Sequence, residues 1–272
     1  MIILKAPAKI NLTLKILGKR SDGYHALESV FLKIENLFDV LEFYPSKSDY
    51  QTTLECTDSS LPVENNLVLR AANALREKSG IKHGVHIFLN KQIPIEAGLG
   101  GGSSDAAVTL LGLNDAWGLG FSSKELMEIG AEIGSDIPFF ISEENSAIVT
   151  GRGENVLPFN VVNPPKIIVE KKLAGLPTKL IYQQLAFLHP EMAQLDNTSF
   201  KDPQIDLTFF MRDALLRGDH KKVGELLTND LEEAALHFLP EIEEHKREII
   251  ERYKGYGSLL SGAGSAVFTI IP

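Results

Sequence analysis

Along the first part of the chain, hydrophobic and polar residues alternate with the period of two that is typical of β-strands. Ile2–Leu4 is a short apolar stretch, and within Ile10–Leu17 most apolar residues stand at every second position. Val30–Phe43 is rich in β-branched and aromatic residues, and the polar residues Asn36 and Asp39 predict a break within it. The pattern therefore predicts that the chain begins with strands.

Helix signals appear further along the chain. Asn66 is a suitable N-cap for a helix over Leu67–Lys78, and Gly80 is a suitable end for it. Ser122–Glu125 has the spacing of a capping box for a helix that runs to Ile133. The remaining pattern predicts a turn at Gly18–Gly23, strands at Val85–Leu89 and Lys166–Val169, helices at Ala106–Trp117, Thr178–Phe187, Ile205–Arg217, His220–Leu227 and Leu231–Tyr253 with an interruption at Pro240, and small and β-branched residues over Ser258–Ile271.

These elements predict an α+β protein of two packed lobes. The first half mixes strands with helices, and the second half begins at the polar, proline-containing break Asn160–Pro165. We therefore expect an N-terminal lobe at residues 1–159 and a C-terminal lobe at residues 160–272. A ligand site in the cleft between two lobes is a common consequence of such an arrangement.

Composition narrows the class of protein. The chain has 272 residues, of which 44% are hydrophobic and 23% charged, values that fit a folded globular protein and exclude a disordered one. No apolar run is long enough to cross a bilayer, and the apolar stretch at the start is too short for a signal peptide. Cys56 is the only cysteine, which excludes an internal disulfide and a cysteine-based metal cage. We expect a cytoplasmic protein.

The charge is uneven. The formal net charge is −9, which argues against binding nucleic acid without regard to sequence. The first 25 residues are cationic, and this segment would suit an anionic small molecule; on charge alone, a solvated strand face is the favoured interpretation. The charged residues of this segment are Lys5, Lys9, Lys15, Lys19 and Arg20 against Asp22.

A glycine-rich segment lies between a predicted strand and a predicted helix. Pro94–Asp105 reads PIEAGLGGGSSD, and four of the five residues from Gly98 to Gly102 are glycine. Without Cβ atoms, the backbone N–H groups can approach an anion, and the start of the following helix adds its own free N–H groups. Ser103 and Ser104 can cap that helix. We therefore expect the segment to bind phosphate, although a flexible connector is the alternative.

The segment differs from two better-known phosphate-binding motifs. A Walker loop requires a lysine directly after the glycines, and a dinucleotide fingerprint would require glycine where Ser103 stands. A second small-residue loop, Ser261–Ser265, is by itself best interpreted as a tight turn into a last strand. Asp136 before Pro138 is either a helix cap or a general base, and Lys9 by itself reads first as a surface lysine.

Five motifs occur in the order seen in the GHMP kinase superfamily, and the resemblance runs from the N-terminus to about Phe268, nearly the whole chain. Two of them, Pro7–Leu12 and Asp22–His25, resemble those of the kinases that act on 4-diphosphocytidyl-2-C-methyl-D-erythritol in the non-mevalonate pathway of isoprenoid biosynthesis. The other three are Pro94–Ser104, Gly134–Phe139 and Ser261–Ser265.

The resemblance implies an activity and a set of site residues. It implies that the ATP γ-phosphoryl group is transferred to the tertiary 2-hydroxyl of that small molecule, with Asp136 as general base and Lys9 as its partner. Mg²⁺ would be carried by ATP, and neither a membrane nor a nucleic acid is an expected partner. The residues implied to contact ATP are Asn66, near the adenine, and Pro94, Ile95, Glu96, Ala97, Gly98, Leu99, Gly100, Gly101, Gly102, Ser103 and Ser104. Those implied to contact the acceptor are Tyr24, Phe31 and Tyr182 around the cytosine, His25 at its polar edge, and Asn11 and Thr178 at the methylerythritol and diphosphate.

Three alternatives stay open. The first is another GHMP kinase, acting on mevalonate, homoserine or a sugar; Tyr24 and His25 argue against it, since those substrates have no cytosine. The second is a catalytically silent ligand-binding protein of the same fold, against which Lys9 and Asp136 argue. The third is a structural protein without a nucleotide, against which the glycine segment argues. The oligomeric state stays open.

Overall fold

The structure, a computed structural model, describes residues 1–46, 50–62, 64–190 and 207–272. Its strands are β1 (Ile2–Lys19), β2 (His25–Ser46), β3 (Thr52–Cys56), β4 (Gly84–Asn90), β5 (Ser146–Gly151), β6 (Asn155–Phe159), β7 (Lys166–Glu170), β8 (Thr228–Asn229), β9 (Gly257–Leu260) and β10 (Val267–Ile271). Its helices are α1 (Leu67–Ser79), α2 (Gly101–Ala116), α3 (Ser123–Ile133), α4 (Ile137–Ile141), α5 (Thr178–Leu188), α6 (Leu207–Arg217), α7 (His220–Glu225), α8 (Glu232–Phe238) and α9 (Glu241–Tyr253). Within the described ranges, no helix is both long and apolar enough to span a bilayer.

The chain forms two compact units. Unit 1 consists of Met1–Ala8, Ile34–Pro94 and Gly100–Glu143, and unit 2 consists of Lys9–Lys33, Ile95–Leu99 and Glu144–Pro272. The long strands β1 and β2 contribute residues to both units. The lobe boundary after residue 159 stays a prediction.

Unit 1 contains a sheet and a helical layer. Strand β4 lies between β3, to which it is parallel, and the second half of β2, to which it is antiparallel. Helix α1 packs against α2 and β3, and α4 packs against α2 and α3. The fully buried side chains include Phe43, Leu75, Ile87 and Leu89. Strand alternation and the apolar faces of the helices thus give this unit its core.

Unit 2 is built from more dispersed parts of the chain. The first half of β2 pairs with β5, β5 pairs with β6, and β1 pairs in parallel with β8. A second sheet has β10 between β7 and β9, all antiparallel, with α9 packed on β9 and β10. Leu14, Ile16 and Leu27 from the start of the chain share a buried core with Ile181 and Leu231.

The locally encoded elements are as the sequence predicts. The Asn66 side chain accepts from Val68 N at 2.9 Å at the start of α1, and Gly80 ends the helix in the left-handed region. The capping box between Ser122 and Glu125 is present, and α3 ends at Ile133. The predicted interruption at Pro240 separates α8 from α9. The predicted start of α6 at Ile205 lies outside the described residues.

Two expectations about elements are wrong, and four strands were not expected. Strand β2 continues through Asn36 and Asp39, because Asn36 is exposed and the buried Asp39 carboxylate accepts from backbone N–H groups and pairs with Lys91. Helix α2 begins at Gly101 rather than Ala106, so the second half of the glycine segment is helical. Strands β3, β5, β6 and β8 were not expected; β5 and β6 are adjacent in the chain and pair with each other across a short turn that contains Gly153, a local hairpin signal that was missed.

Candidate active site

Strand β1 carries a buried polar face in unit 2. Lys9, Asn11 and Thr13 alternate with apolar residues and are at most 4% exposed. The Lys9 ammonium donates to Asn11 Oδ1 at 2.5 Å and to the Gly98 carbonyl at 3.0 Å. The surface position that Lys9 alone predicts is therefore wrong. Burying an ammonium is tolerated only where acceptors replace its water.

The polar face continues onto strand β2. The Asn11 amide donates to Ser29 Oγ at 3.0 Å, and Ser29 Oγ donates to the Thr13 carbonyl. The Lys9 ammonium also lies 4.7 Å from the centroid of the Phe31 ring, which is 2% exposed. The amide orientation of Asn11 is thereby set, because its oxygen must face the ammonium and its nitrogen the hydroxyl. Ser29 was not expected, since a lone serine in a strand gives no signal.

The segment Ile95–Leu99 lies against the loop between β9 and β10. Ser261 Oγ donates to the Gly98 carbonyl at 2.9 Å, and Ala266 N donates to the Ala97 carbonyl at 3.2 Å. Gly98 has φ +73°, and a Cβ on it would lie 1.8 Å from the Ser261 carbonyl oxygen. The tight turn predicted for Ser261–Ser265 is confirmed, and this turn holds Gly98, the first glycine of the glycine segment, in place.

The glycine segment enters unit 1 at the start of α2. Gly100 occupies the N-cap position with φ +70° and has no side chain with which to cap the helix. Ser103 and Ser104 lie inside the helix, so the expectation that they cap it is wrong. Ser104 Oγ is buried and has no hydrogen-bond partner in the part of the chain that the structure describes. A helix start of this kind offers uncapped N–H groups to an anion.

Asp136 lies in unit 1, directly before the short helix α4, and is half-buried. In the described part of the chain, its carboxylate makes no capping hydrogen bond to that helix, and its backbone has helical angles rather than the extended angles of a usual cap. Asp136 therefore occupies the predicted N-cap position, with Pro138 in the first turn of α4, but its side chain does not cap the helix. Its assignment as a general base, and its pairing with Lys9 of unit 2, stay predictions.

The turn predicted at Gly18–Gly23 lies in unit 2 between the end of β1 at Lys19 and the start of β2 at His25, and it contains most of the Asp22–His25 motif. Asp22 Oδ1 accepts from Tyr24 N at 3.1 Å, and Arg20 forms an ion pair with Asp22 at 2.9 Å. The Tyr24 ring is 52% exposed, and the Arg152 guanidinium lies 4.9 Å from its centroid. Arg152 was not expected beside this turn, because it directly follows β5, a strand that was itself unexpected.

His25 stacks on Tyr182, with ring centroids 4.8 Å apart and an interplanar angle of 26°. Partial burial, together with the positive charge of Lys19, lowers the pKa of His25 below its ordinary value of 6.5. Thr178 is exposed one helical turn before Tyr182 on α5, so the two residues share a face. A neutral imidazole offers one donor and one acceptor, as recognition of a base edge requires.

Asn66 has a structural role at α1, where its side-chain oxygen is the N-cap. Its proposed position near an adenine stays a prediction. The same is true of the roles of Pro94–Ser104 toward ATP and of Tyr24, Phe31, Tyr182 and Thr178 toward an acceptor.

Comparisons with known proteins agree with this geometry. The models "GHMP kinases N terminal domain" and "GHMP kinases C terminal" match residues 66–144 and 211–272. A relative from Brevibacillus brevis named 4-diphosphocytidyl-2-C-methyl-D-erythritol kinase is 39% identical over 271 residues, which cover 99% of this chain and 87% of the relative.

Solved structures give the same result. The crystal structure of a 4-(cytidine 5'-diphospho)-2C-methyl-D-erythritol kinase aligns with a TM-score of 0.77 and 32% identity over 99% of this chain and 90% of that one. The homoserine kinase from Cytophaga hutchinsonii, at 17% identity and a TM-score of 0.73 over 98% of this chain and 84% of that one, shows the shared fold. The predicted α+β, GHMP-kinase-like fold is confirmed. The chain belongs to the GHMP kinases and, within them, to the family of 4-diphosphocytidyl-2-C-methyl-D-erythritol kinases.

Proposed function

We propose that this protein transfers the γ-phosphoryl group of ATP to the 2-hydroxyl of 4-diphosphocytidyl-2-C-methyl-D-erythritol, a step of non-mevalonate isoprenoid biosynthesis in the cytoplasm. The observation that carries the proposal is the identity of 39% to a relative of that name over 99% of the chain. The buried hydrogen bond between Lys9 and Asn11 and the stacking of His25 on Tyr182 support it, because Lys9, Asn11 and His25 belong to the family motifs Pro7–Leu12 and Asp22–His25.

The proposed chemistry assigns one proton transfer to the protein. Asp136 takes the proton of the acceptor hydroxyl as its oxygen attacks the γ-phosphorus, and the bond from that phosphorus to the ADP oxygen breaks. Lys9 stabilises the negative charge that develops on the attacking oxygen. A tertiary alcohol is crowded, so its placement contributes to rate as much as its deprotonation.

The start of α2 fits the phosphates of ATP. Gly100 leaves the helix uncapped, and Ser104 Oγ is a buried hydroxyl that a ligand oxygen could satisfy. Mg²⁺ bound to the ATP oxygens would neutralise part of their charge. Asn66 is proposed near the adenine.

The acceptor site is proposed around the Asp22–His25 turn. Tyr24, Phe31 and Tyr182 would enclose the cytosine, and neutral His25 would donate to or accept from its edge. The stacking of an aromatic ring on a base is worth about 1–3 kcal/mol. Asn11 and Thr178 would place the rest of the acceptor.

The test is an ADP-release assay with purified protein, ATP and each of several alcohols. We expect turnover with the cytidine diphosphate alcohol and only background with mevalonate, homoserine and galactose. Equal turnover of one of the other alcohols would replace the proposal with another GHMP kinase activity. Ligand binding without turnover of any alcohol would favour a silent binding protein.

A variant tests the role of the base. Asp136→Asn should lower kcat by roughly 10²–10⁴-fold, because the proton acceptor is lost, while the affinities for ATP and for the acceptor stay close to those of the parent. Asp115→Asn, an exposed carboxylate at the end of α2, is the matched control and should behave as the parent. An unchanged kcat in Asp136→Asn would remove this residue from the mechanism.

A further inference from the structure

A buried cluster of charges lies in unit 1, outside the residues assigned above. The Lys91 ammonium bridges two carboxylates, Asp39 and Asp105, with 2.9 Å to Asp105 Oδ2. The side chains are almost completely buried: Lys91 is 6% exposed, Asp39 0% and Asp105 3%. Breaking a buried ion pair leaves an uncompensated charge, so such a cluster strongly restrains the elements that contribute to it.

The cluster joins three elements at the glycine segment. Asp39 belongs to β2, and its Oδ1 accepts from the backbone N–H groups of Gln92 and Ile93 at 2.5 and 2.8 Å. Lys91 directly follows β4. Asp105 lies in the first turns of α2, and the position of a Cβ on Gly101 would be 3.2 Å from Lys91 Nζ. The ammonium therefore lies beside the first residue of the helix.

The charges in the cluster do not balance when every group is ionised. Asp105 Oδ1 is buried and, among the described residues, has no hydrogen-bond partner. Burial raises the pKa of Asp105 to about 8, with a further contribution from Asp39 and opposition from Lys91. Burial by itself would lower the pKa of Lys91, but the attraction of the two carboxylates is larger, so the pKa of Lys91 is raised above its ordinary value. At neutral pH, protonated Asp105 leaves one carboxylate to pair with one ammonium.

Two further titratable groups interact with Lys91, the Cys56 thiol on β3 and the Asp58 carboxylate after it. Burial raises the pKa of Cys56 above its ordinary 9.0, and hydrogen bonds from Ser60 lower the pKa of Asp58 below its ordinary 3.8. Neither group titrates near pH 8. Asp105, whose pKa burial raises to about 8, changes charge in that range.

We propose that the Asp39–Lys91–Asp105 cluster positions the N-terminal turn of α2 for the ATP phosphates, and that it does so with Asp105 protonated. The inference rests on the proposed function, because it takes ATP as the ligand of the glycine segment. Loss of the Asp105 proton places an additional negative charge in the first turns of the helix, close to where the phosphates bind. Affinity for ATP should then fall as the pH rises through about 8.

The test compares ATP affinity by direct titration, without acceptor, at pH values below and above 8. For the parent protein, Kd should rise several-fold across this range. Asp105→Asn has nearly the same shape, keeps an oxygen for Lys91 and cannot ionise, so its Kd should change much less. Asp115→Asn, on the same helix but exposed, is the matched control and should reproduce the parent profile.

Each outcome has a separate meaning. Parallel profiles for the parent and Asp105→Asn, with thermal melting showing both folded, would overturn the inference and leave the proposed function intact. Absence of ATP binding in the parent would overturn both. If Asp105→Asn does not fold, Lys91→Arg serves as the second variant, because it keeps the positive charge of the cluster. Its Kd for ATP and the pH profile of that Kd should resemble those of the parent. An altered ATP affinity without any pH dependence would contradict the role of the Asp105 proton.

Discussion

The charge state of His25 follows from its surroundings. One face of the imidazole stacks on Tyr182. Partial burial, and to a smaller extent the positive charge of Lys19, lower the pKa of His25 below 6.5. It therefore stays neutral through the neutral pH range and protonates only in more acidic solution. If the neutral ring reads the cytosine edge, protonation removes its acceptor. The KM for the acceptor should accordingly be flat near neutrality and rise as the pH falls below 6.5.

His25→Ala tests this assignment. In the proposed assignment, the change removes a hydrogen bond to the cytosine as well as the stacking partner of Tyr182, so KM for the cytidine diphosphate alcohol should rise about tenfold or more, while KM for ATP stays within about twofold. The acid-side rise in KM should also disappear. His86→Ala, an exposed histidine of unit 1, is the matched control. An effect on ATP alone would contradict the cytosine assignment.

Some residues could be assigned from the sequence, and others could not. His25 and Tyr24 belong to one short motif, so the turn that contains them can be predicted from neighbouring residues alone. The burial of Lys9 depends on the carbonyl of Gly98, 89 residues away, so an isolated lysine in a strand could only be given the commoner surface position. Asp39 and Lys91 were missed for the same reason, because their pairing spans 52 residues.

At the scale of elements, the approach of Gly98 to the β9–β10 loop is the tightest constraint on the glycine segment. The backbone combines a positive φ of +73° with a carbonyl oxygen where a Cβ would be. Gly80, at the end of α1, has a similar φ of +69° but nothing within 4 Å of its Cβ position. Alanine at Gly80 would therefore experience only the strain of the left-handed backbone, whereas alanine at Gly98 would also overlap the Ser261 carbonyl oxygen.

Gly98→Ala should destabilise the protein more than Gly80→Ala. The left-handed conformation alone costs an alanine about 1–2 kcal/mol, and this is the expected loss for Gly80→Ala in the free energy of unfolding by urea. Gly98→Ala adds the displacement of the Ser261 loop and should also raise KM for ATP, since the segment itself must move. Equal losses in the free energy of unfolding for the two variants would mean that the Ser261 loop moves aside at no cost in free energy.

Helices with their own capping residues were predicted well, whereas the start of α2, which depends on distant contacts, was not. Helices α1 and α3 carry their own caps at Asn66 and Ser122. The first turn of α2 contains two glycines, which individually disfavour helix, and it forms in the presence of the cluster at Asp105 and Lys91. Tertiary contacts override propensity there, and no pattern within the segment itself could show it.

At the scale of the whole molecule, unit 2 joins the two ends of the chain. Thr13 and Leu14 of β1 pair with Thr228 and Asn229 of β8, and Asp230 Oδ2 accepts from Ile16 N at 2.7 Å. The shared core contains Leu14, Ile16 and Leu27 beside residues from α5, α8, α9 and β10. We propose residue 159 as the sequence boundary between the family's lobes, near the exposed Val162. This core implies that the boundary does not separate independently folding pieces.

A fragment of residues 160–272 should therefore not fold alone. It lacks β1 and the first half of β2, which bury apolar side chains against α5 and α8 in the intact chain, so it would expose much of its core. We expect no cooperative thermal transition for this fragment. Co-expression with residues 1–159 should restore one, together with ATP-dependent turnover, because the cut between Phe159 and Asn160 removes none of the residues of that core. A cooperative transition in the isolated fragment would contradict this account, since the C-terminal lobe would then possess a sufficient core of its own.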